Sequence, residues 1–241
     1  MDFIDVPSLS RLYYCGPPLC EGPLPAVFYF SLSAEESLCL DPYNQIVNHL
    51  VSHRIRVFSL TLPKHDGIYP HYGAIEFWAQ SIAGGHHILD DFAQTCSQMI
   101  DFLLSEGYLV ENKISTAGLS RGAFVAAHLA AVDQRVSKLL GFSPLTNLEE
   151  YLSPGKDVVP SLDLKAIVDK LGNKTVRFYI GNRDTRVGTS RCFSFIESLV
   201  EASYAQKYRS PPIELVVFPS IGHRGHGTPP HIFRAGAEWL R

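Results

Sequence analysis

A serine between two glycines lies near the middle of the 241-residue chain and carries the clearest chemical signal. Residues 118–122 read Gly-Leu-Ser-Arg-Gly, which matches the G-x-S-x-G pattern of a tight strand-to-helix turn that exposes a serine hydroxyl. The residues at 113–117 favour a strand, and the small residues after Gly122 favour a helix. We therefore predict that Ser120 is a nucleophile, the alternative being a structural turn serine.

An acidic residue is the next requirement. A serine hydroxyl is a weak nucleophile near neutral pH, so it needs a neighbouring base and a group that orients this base. Asp184 follows the predicted strand at 175–180, and we predict that it is the orienting carboxylate. Weaker candidates are Asp133, at the end of the helix after the serine, and Glu149 with Glu150, in an insertion.

The base is expected in the loop after the predicted strand at 213–218, which contains two histidines. We predict that His223 is the base, and His226 is the main alternative. The order along the chain is then Ser120, Asp184, His223. These three residue types in this order suit acyl transfer by an activated serine.

Acyl transfer also needs backbone N–H donors for the negative charge that develops on the carbonyl oxygen. We predict that one donor is the N–H of Arg121, directly after the serine and at a helix N-terminus. The second should come from the loop at 30–36 after the first long strand. Leu32 is the predicted second donor, with Ser33 one position away as the alternative.

The elements that must position these residues alternate regularly between strand and helix. The predicted strands lie at 26–30, 55–62, 113–118, 138–142, 175–181 and 213–218, and the predicted helices at 43–53, 89–106, 122–132, 192–207 and 232–239. Such alternation predicts an α/β fold, a three-layer αβα sandwich around a mostly parallel twisted sheet. We predict a single domain over 1–241, with an N-terminal extension at 1–23 that adds a short edge strand at 11–15.

Two stretches interrupt this alternation, at 63–88 and 146–172. Long insertions after strands of a parallel sheet lie above the carboxyl ends of the strands, where ligands bind. We therefore predict that both form pocket walls or a partial lid. The first stretch is rich in aromatic residues, and Tyr69 and Trp78 are the predicted substrate-binding side chains, with loop packing as the alternative.

Composition excludes several classes of partner. The chain has 21 Lys and Arg against 24 Asp and Glu and no basic run, so we predict no binding to nucleic acid. No apolar stretch is long enough to span a membrane, and the acidic N-terminus is unlike a secretory signal, which favours a cytoplasmic location. The five cysteines are an odd number without metal-type spacing, so we predict no disulfide and no metal site. Gly84 and Gly85 precede a predicted helix but lack the G-x-G-x-x-G and Walker patterns, so we predict no cofactor.

The sequence resembles the α/β-hydrolase superfamily, particularly its dienelactone-hydrolase and prolyl-oligopeptidase-like esterase branch. The resemblance rests on the stretches at 88–92, 113–124, 181–187 and 222–223, and it covers most of 26–241. It implies an α/β-hydrolase fold and a serine esterase with a small-molecule acyl or ester substrate. The usual His-Gly or Gly-Gly pair of the second oxyanion donor is absent.

Two other functions remain open at this point. A small serine peptidase or amidase of the prolyl-oligopeptidase type would use the same three residues. A binding protein with this fold and no catalysis is the other alternative, and the unusual loop around Leu32 is the feature that favours it. Whether Ser120 reacts separates this alternative from either enzyme.

Overall fold

An eight-stranded sheet forms the centre of the computed structural model, which describes residues 1–67 and 71–241. The strands are β1 (Asp2–Asp5), β2 (Arg11–Cys15), β3 (Leu24–Phe30), β4 (Arg56–Ser59), β5 (Leu109–Leu119), β6 (Val136–Phe142), β7 (Thr175–Gly181) and β8 (Ile213–Phe218). Their order in the sheet is β1-β2-β4-β3-β5-β6-β7-β8. Strands β3 to β8 pair in parallel, whereas β1 and β2 are antiparallel to their neighbours.

Helices cover both faces of this sheet. They are α1 (Ala34–Cys39), α2 (Gln45–Ser52), α3 (His71–Ala83), α4 (Ile88–Ser105), α5 (Arg121–Val132), α6 (Val168–Leu171), α7 (Thr189–Ala205) and α8 (Pro230–Leu240). Successive side chains of β3 point to opposite faces, so Phe28 and Phe30 pack with α3, α4 and α5 while Val27 and Tyr29 pack with α2 and α8. The predicted three-layer α/β fold is therefore confirmed.

The predicted strands and helices differ from the structure mainly at the N-terminus and in the two insertions. The six predicted parallel strands correspond to β3 to β8, and β2 is the predicted edge strand. Strand β1 was not predicted, because its four residues gain their pairing only from β2. The stretch at 63–88 contains helix α3, and 146–172 contains short 3-10 helices followed by α6. The single-domain organisation stays a prediction.

A buried arginine holds the N-terminal extension against the sheet. Arg56 on β4 is 0% exposed. Its guanidinium donates to the carbonyl oxygens of Pro17 at 2.9 Å, Pro18 at 2.5 Å, Gly22 at 2.8 Å and Tyr108 at 2.6 Å. Buried carbonyl oxygens need hydrogen-bond donors. This one side chain supplies donors to three carbonyl oxygens of the loop that leads into β3 and to a fourth at Tyr108.

A second buried charge follows α5. Asp133 is 4% exposed and accepts hydrogen bonds from Arg135 Nη2 at 2.6 Å and from the Ser97 hydroxyl at 2.9 Å. Burial raises the pKa of this carboxyl, but the hydrogen bonds from Arg135 and Ser97 outweigh it, so the pKa lies below its ordinary value of 3.8. Asp133 is therefore a buried carboxylate that is held by Arg135 and Ser97.

Asp133→Asn should lower the free energy of unfolding near neutral pH by about 1–3 kcal/mol, because the variant loses the ionic hydrogen bonds. A carboxyl whose pKa is depressed on folding stabilises the protein above its unfolded pKa, and this contribution is lost as pH falls through the folded pKa. Urea unfolding gives the free energy of unfolding of the native protein and of the variant at about pH 7 and at about pH 3. The difference between these two free energies should be smaller at the lower pH.

Asp101→Asn is the matched control for Asp133→Asn, because Asp101 pairs with the same Arg135 at 2.5 Å but is exposed. This exposed pair should contribute less than about 1 kcal/mol. If Asp133→Asn lowered the free energy of unfolding by the same amount at both pH values, the prediction would be wrong.

Candidate active site

Ser120 occupies the turn between β5 and α5 in a conformation that few residues adopt. Its φ is 54° and its ψ is −116°. The turn is tight because two glycines allow close backbone contact: a Cβ on Gly118 would lie 2.2 Å from the nitrogen of Ala123, and one on Gly122 would lie 1.9 Å from the carbonyl oxygen of Phe30. The G-x-S-x-G pattern therefore folds as the strand-to-helix turn predicted from the sequence.

The imidazole beside this serine belongs to His226. Its Nε2 lies 2.9 Å from Ser120 Oγ, and its Nδ1 lies 2.7 Å from Asp184 Oδ2. His223, the residue predicted from the sequence, is exposed, and the structure corrects that choice. The physical reason is a tight turn in which the N–H of His226 donates to the carbonyl of His223 at 3.1 Å, while Gly227 pairs with Ile221.

Asp184 is positioned by its own loop after β7. The residue is 3% exposed, and its Oδ1 accepts the backbone N–H groups of Arg186 at 2.9 Å and Val187 at 3.1 Å. The other oxygen is then directed at His226. Burial and, secondly, the negative charge of Asp184 raise the pKa of the neighbouring Cys192 thiol to about 12. A carboxylate held in this way fixes the orientation of the imidazole.

The two loops that carry the acid and the histidine are joined by hydrogen bonds. The backbone N–H of Thr185 donates to the carbonyl of Arg224 at 2.9 Å, and Arg224 Nη2 donates to the carbonyl of Thr185 at 2.7 Å. Beyond His226, the hydroxyl of Thr228 lies 3.1 Å from that of Ser143. These bonds keep the imidazole in place between the ends of β6, β7 and β8.

Both predicted oxyanion donors lie at the edge of the same site. Arg121 is the first residue of α5, so its backbone N–H belongs to the helix N-terminus beside Ser120. The N–H of Leu32 points towards Ser37 Oγ at the long distance of 3.4 Å, and the N–H of Ser31 donates to the same oxygen at 3.0 Å. The loop after β3 thus approaches the serine, and its donor role stays a prediction.

A cavity of about 360 Å³ opens over Ser120 and His226. Most of its described wall is apolar, formed by Leu32, Pro42, Tyr43, Leu119, Ile221 and Phe233. Two arginines, Arg121 and Arg186, supply the charged part. An apolar pocket with a few polar groups next to a serine, a histidine and an aspartate has the composition expected of a small-molecule site.

Comparison with known proteins identifies the fold. No protein-family model matches the chain, and no curated protein matches it by sequence. Among solved structures, TT1662 from Thermus thermophilus matches with a TM-score of 0.68 at 20% identity, over 95% of this chain and 92% of that one. Est1E from Butyrivibrio proteoclasticus, with ferulic acid bound, matches with a TM-score of 0.67 at 15% identity, over 100% and 98%. The chain has the α/β-hydrolase fold.

A third α/β-hydrolase neighbour is a cold-adapted esterase from an Arctic intertidal metagenomic library. It matches with a TM-score of 0.67 at 16% identity, over 99% of this chain and 91% of that one. In the α/β-hydrolase fold the serine, acid and histidine follow one another along the chain in the order found here for Ser120, Asp184 and His226.

The predicted substrate-binding aromatics are not part of the described cavity wall. Trp78 is 0% exposed, lies on α3 inside the core, and donates its indole N–H to the carbonyl of Pro63 at 2.9 Å, so this prediction is corrected. Tyr69 lies outside the described residues. The described wall residues come from segments other than 63–88 and 146–172, and the wall or lid role of these insertions stays a prediction.

Several of the wall residues that the sequence analysis missed come from distant parts of the chain. Pro42 and Tyr43 precede α2, Arg186 follows the acid, and Phe233 projects from α8. Arg186 had a local signal, since it lies two residues after the predicted acid, and so had Leu119, next to the predicted serine, and Ile221, in the histidine loop. The others reach the site through the packing of the α/β-hydrolase layers, which no short pattern reports.

Within residues 1–67 and 71–241, no group of three or more His, Cys, Asp or Glu side chains is arranged to hold a metal ion. In the same part of the chain, no helix has both the length and the apolar character needed to cross a membrane.

Proposed function

We propose that the protein is a serine hydrolase that cleaves a carboxylic ester or similar small acyl substrate through an acyl-enzyme intermediate. The observation that carries this proposal is the hydrogen-bonded series Ser120 Oγ, His226 Nε2, His226 Nδ1 and Asp184 Oδ2, with contacts of 2.9 Å and 2.7 Å. Serine, histidine and a buried aspartate in this arrangement activate the hydroxyl as a nucleophile.

In the first half-reaction, Ser120 Oγ attacks the ester carbonyl carbon while its proton passes to His226 Nε2. Asp184 holds the imidazole in the tautomer that accepts this proton and stabilises the imidazolium that forms. The carbonyl oxygen becomes negatively charged and is stabilised by the N–H of Arg121 and a donor from the loop containing Leu32. When the intermediate collapses, the C–O bond breaks and His226 returns the proton to the leaving alcohol.

In the second half-reaction, water replaces the alcohol. His226 takes a proton from the water, whose oxygen attacks the acyl carbon, and the bond to Ser120 Oγ breaks as this oxygen regains a proton. One ester and one water thus give one acid and one alcohol.

An ester or other small acyl group is favoured over a large substrate for two reasons. The cavity over Ser120 measures about 360 Å³, near the lower end of the range for small-molecule sites. Its mostly apolar wall suits the carbon skeleton of an acyl or aryl group. The neighbouring solved structures include proteins named as esterases, which agrees with the proposal.

Labelling with a fluorophosphonate tests the proposal directly, because this probe reacts with activated serines. The native protein should be labelled at Ser120, as located by mass analysis of peptides, and Ser120→Ala should be unlabelled although folded. The labelled protein should also lose its hydrolysis of short aryl esters. Folded native protein that neither reacts with the probe nor hydrolyses any ester would overturn the proposal in favour of a binding role.

A further inference from the structure

Two cysteines from different elements lie side by side near one edge of the sheet. Cys15 is the last residue of β2, and Cys39 is the last residue of α1. The thiol of Cys15 donates to the carbonyl oxygen of Leu38, which is 3.9 Å from its sulfur. Since Leu38 directly precedes Cys39, this sulfur lies within about 7 Å of the Cα of Cys39. The fold thus brings together two thiols that the sequence separates.

The two thiols act on each other in the folded protein. Burial raises the pKa of the Cys15 thiol, the charge and the hydrogen bond of Cys39 raise it further, and the amino group of Met1 acts in the opposite direction. A hydrogen bond between the thiols requires their sulfur atoms to be neighbours. Cys39 is exposed, and exposed side chains change rotamer within nanoseconds, so side-chain rotation can bring the sulfurs to bonding distance.

The other three cysteines have different surroundings. Cys96 and Cys192 are both 0% exposed, so an oxidant in solution does not reach them while the protein is folded. Cys20 is exposed and lies on a short 3-10 helix between β2 and β3. The pair of Cys15 and Cys39 combines an accessible thiol with a second thiol beside it, and a reversible disulfide needs both.

Cys39 belongs to a segment that borders the cavity over Ser120. This wall segment comprises residues 31–43, and its first two and last two residues line the cavity. Between these ends, Ser37 Oγ accepts the backbone N–H of Ser31 at 3.0 Å. A covalent bond at Cys39 therefore restrains a part of the chain that forms the cavity wall and contains the predicted second oxyanion donor.

We propose that Cys15 and Cys39 form a reversible disulfide, which ties the wall segment to β2 when the protein meets a small-molecule disulfide. The exposed Cys39 thiolate attacks one sulfur of the small disulfide, and one small thiol leaves. The Cys15 thiolate then attacks the Cys39 sulfur, and the second small thiol leaves. The two protein thiols lose two electrons and two protons, which reduce one small disulfide to two thiols. An excess of a small dithiol reverses both steps.

The bond should make opening of the wall segment rarer. It closes a loop between β2 and α1, so it removes conformational freedom from the unfolded and partly opened states rather than from the folded one. The number of cysteines alone predicts no disulfide, and only the fold places Cys15 beside Cys39. This proposal does not depend on any activity of Ser120.

Mass analysis after incubation with oxidised glutathione tests whether the bond forms. The native protein should lose the mass of two hydrogen atoms, and digestion without reduction should release Cys15 and Cys39 in one linked pair of peptides. Dithiothreitol should reverse both changes. Cys15→Ser should instead keep glutathione on Cys39. Cys20→Ser is the matched control, because Cys20 is exposed like Cys39, and it should form the same bond as the native protein. Glutathione adducts without an internal disulfide, or a disulfide that includes Cys20, would overturn the proposal.

Hydrogen exchange then tests the effect on the wall segment. Amides within 31–43 should exchange at least about threefold more slowly in the oxidised protein than in the reduced protein, whereas those of α7 should exchange equally in both. Cys39→Ser should show no difference between the two conditions. Equal exchange of the wall segment in oxidised and reduced native protein would overturn its restraint by the disulfide. Neither measurement uses a substrate, so failure here is distinct from failure of the proposed function.

Discussion

His226→Ala should lower kcat/KM for a short aryl ester by about 10⁴-fold or more, because the hydroxyl of Ser120 then has no base to take its proton. The expected size follows from the way a serine, a histidine and an aspartate act as a unit, in which loss of the base costs nearly as much as loss of the nucleophile. The measurement is initial-rate hydrolysis with the native protein and variant at equal concentrations of folded protein.

His223→Ala is the control that makes this prediction specific. His223 lies three residues away in the same loop, is exposed, and has an imidazole that can be removed without touching the contacts of His226. Its kcat/KM should stay within about threefold of the native value. If His223→Ala lost as much activity as His226→Ala, the assignment of the base from the structure would be wrong.

The choice between these two histidines shows where sequence reasoning stops. The strand at 213–218 and the histidine-containing loop after it could be predicted from composition, but residues 222–227 read Gly-His-Arg-Gly-His-Gly and are nearly symmetric around their centre. The direction of each imidazole depends on the backbone of the turn, in which Arg224 has a φ of 57° and Gly222 has a φ of 73°. No propensity assigns a positive φ to an arginine.

The fold was easier to predict than the pocket because it depends on long, repeated patterns. Six parallel strands and the turn at Ser120 follow from alternation and from one glycine-rich motif. Trp78 was wrongly assigned to a loop wall, although Ala74, Ile75, Trp78 and Ile82 have the spacing of a buried helix face. The position of Phe233 at the cavity depends on how α8 packs over the sheet, and the local sequence does not encode this packing.

Gly122→Ala should destabilise the protein by at least about 3 kcal/mol, which is at the upper end of what overpacking costs. The added Cβ would lie 1.9 Å from the carbonyl oxygen and 2.4 Å from the carbonyl carbon of Phe30, and 2.9 Å from the nitrogen of Ser31. These are backbone atoms of a central strand, so they cannot move aside as a flexible side chain would. Either α5 or the end of β3 must shift.

The same shift would displace the loop that carries Leu32 from Ser120, so ester hydrolysis should fall in whatever protein stays folded. Urea unfolding and soluble yield report stability, and kcat per folded protein reports the site. Gly73→Ala is the matched control, since a Cβ on that helical glycine has no atom within 4 Å. It should be neutral or stabilising by up to about 1 kcal/mol, because alanine favours a helix more than glycine does. A Gly122→Ala protein as stable and active as Gly73→Ala would mean that α5 and β3 do not approach as closely as the turn at Ser120 requires.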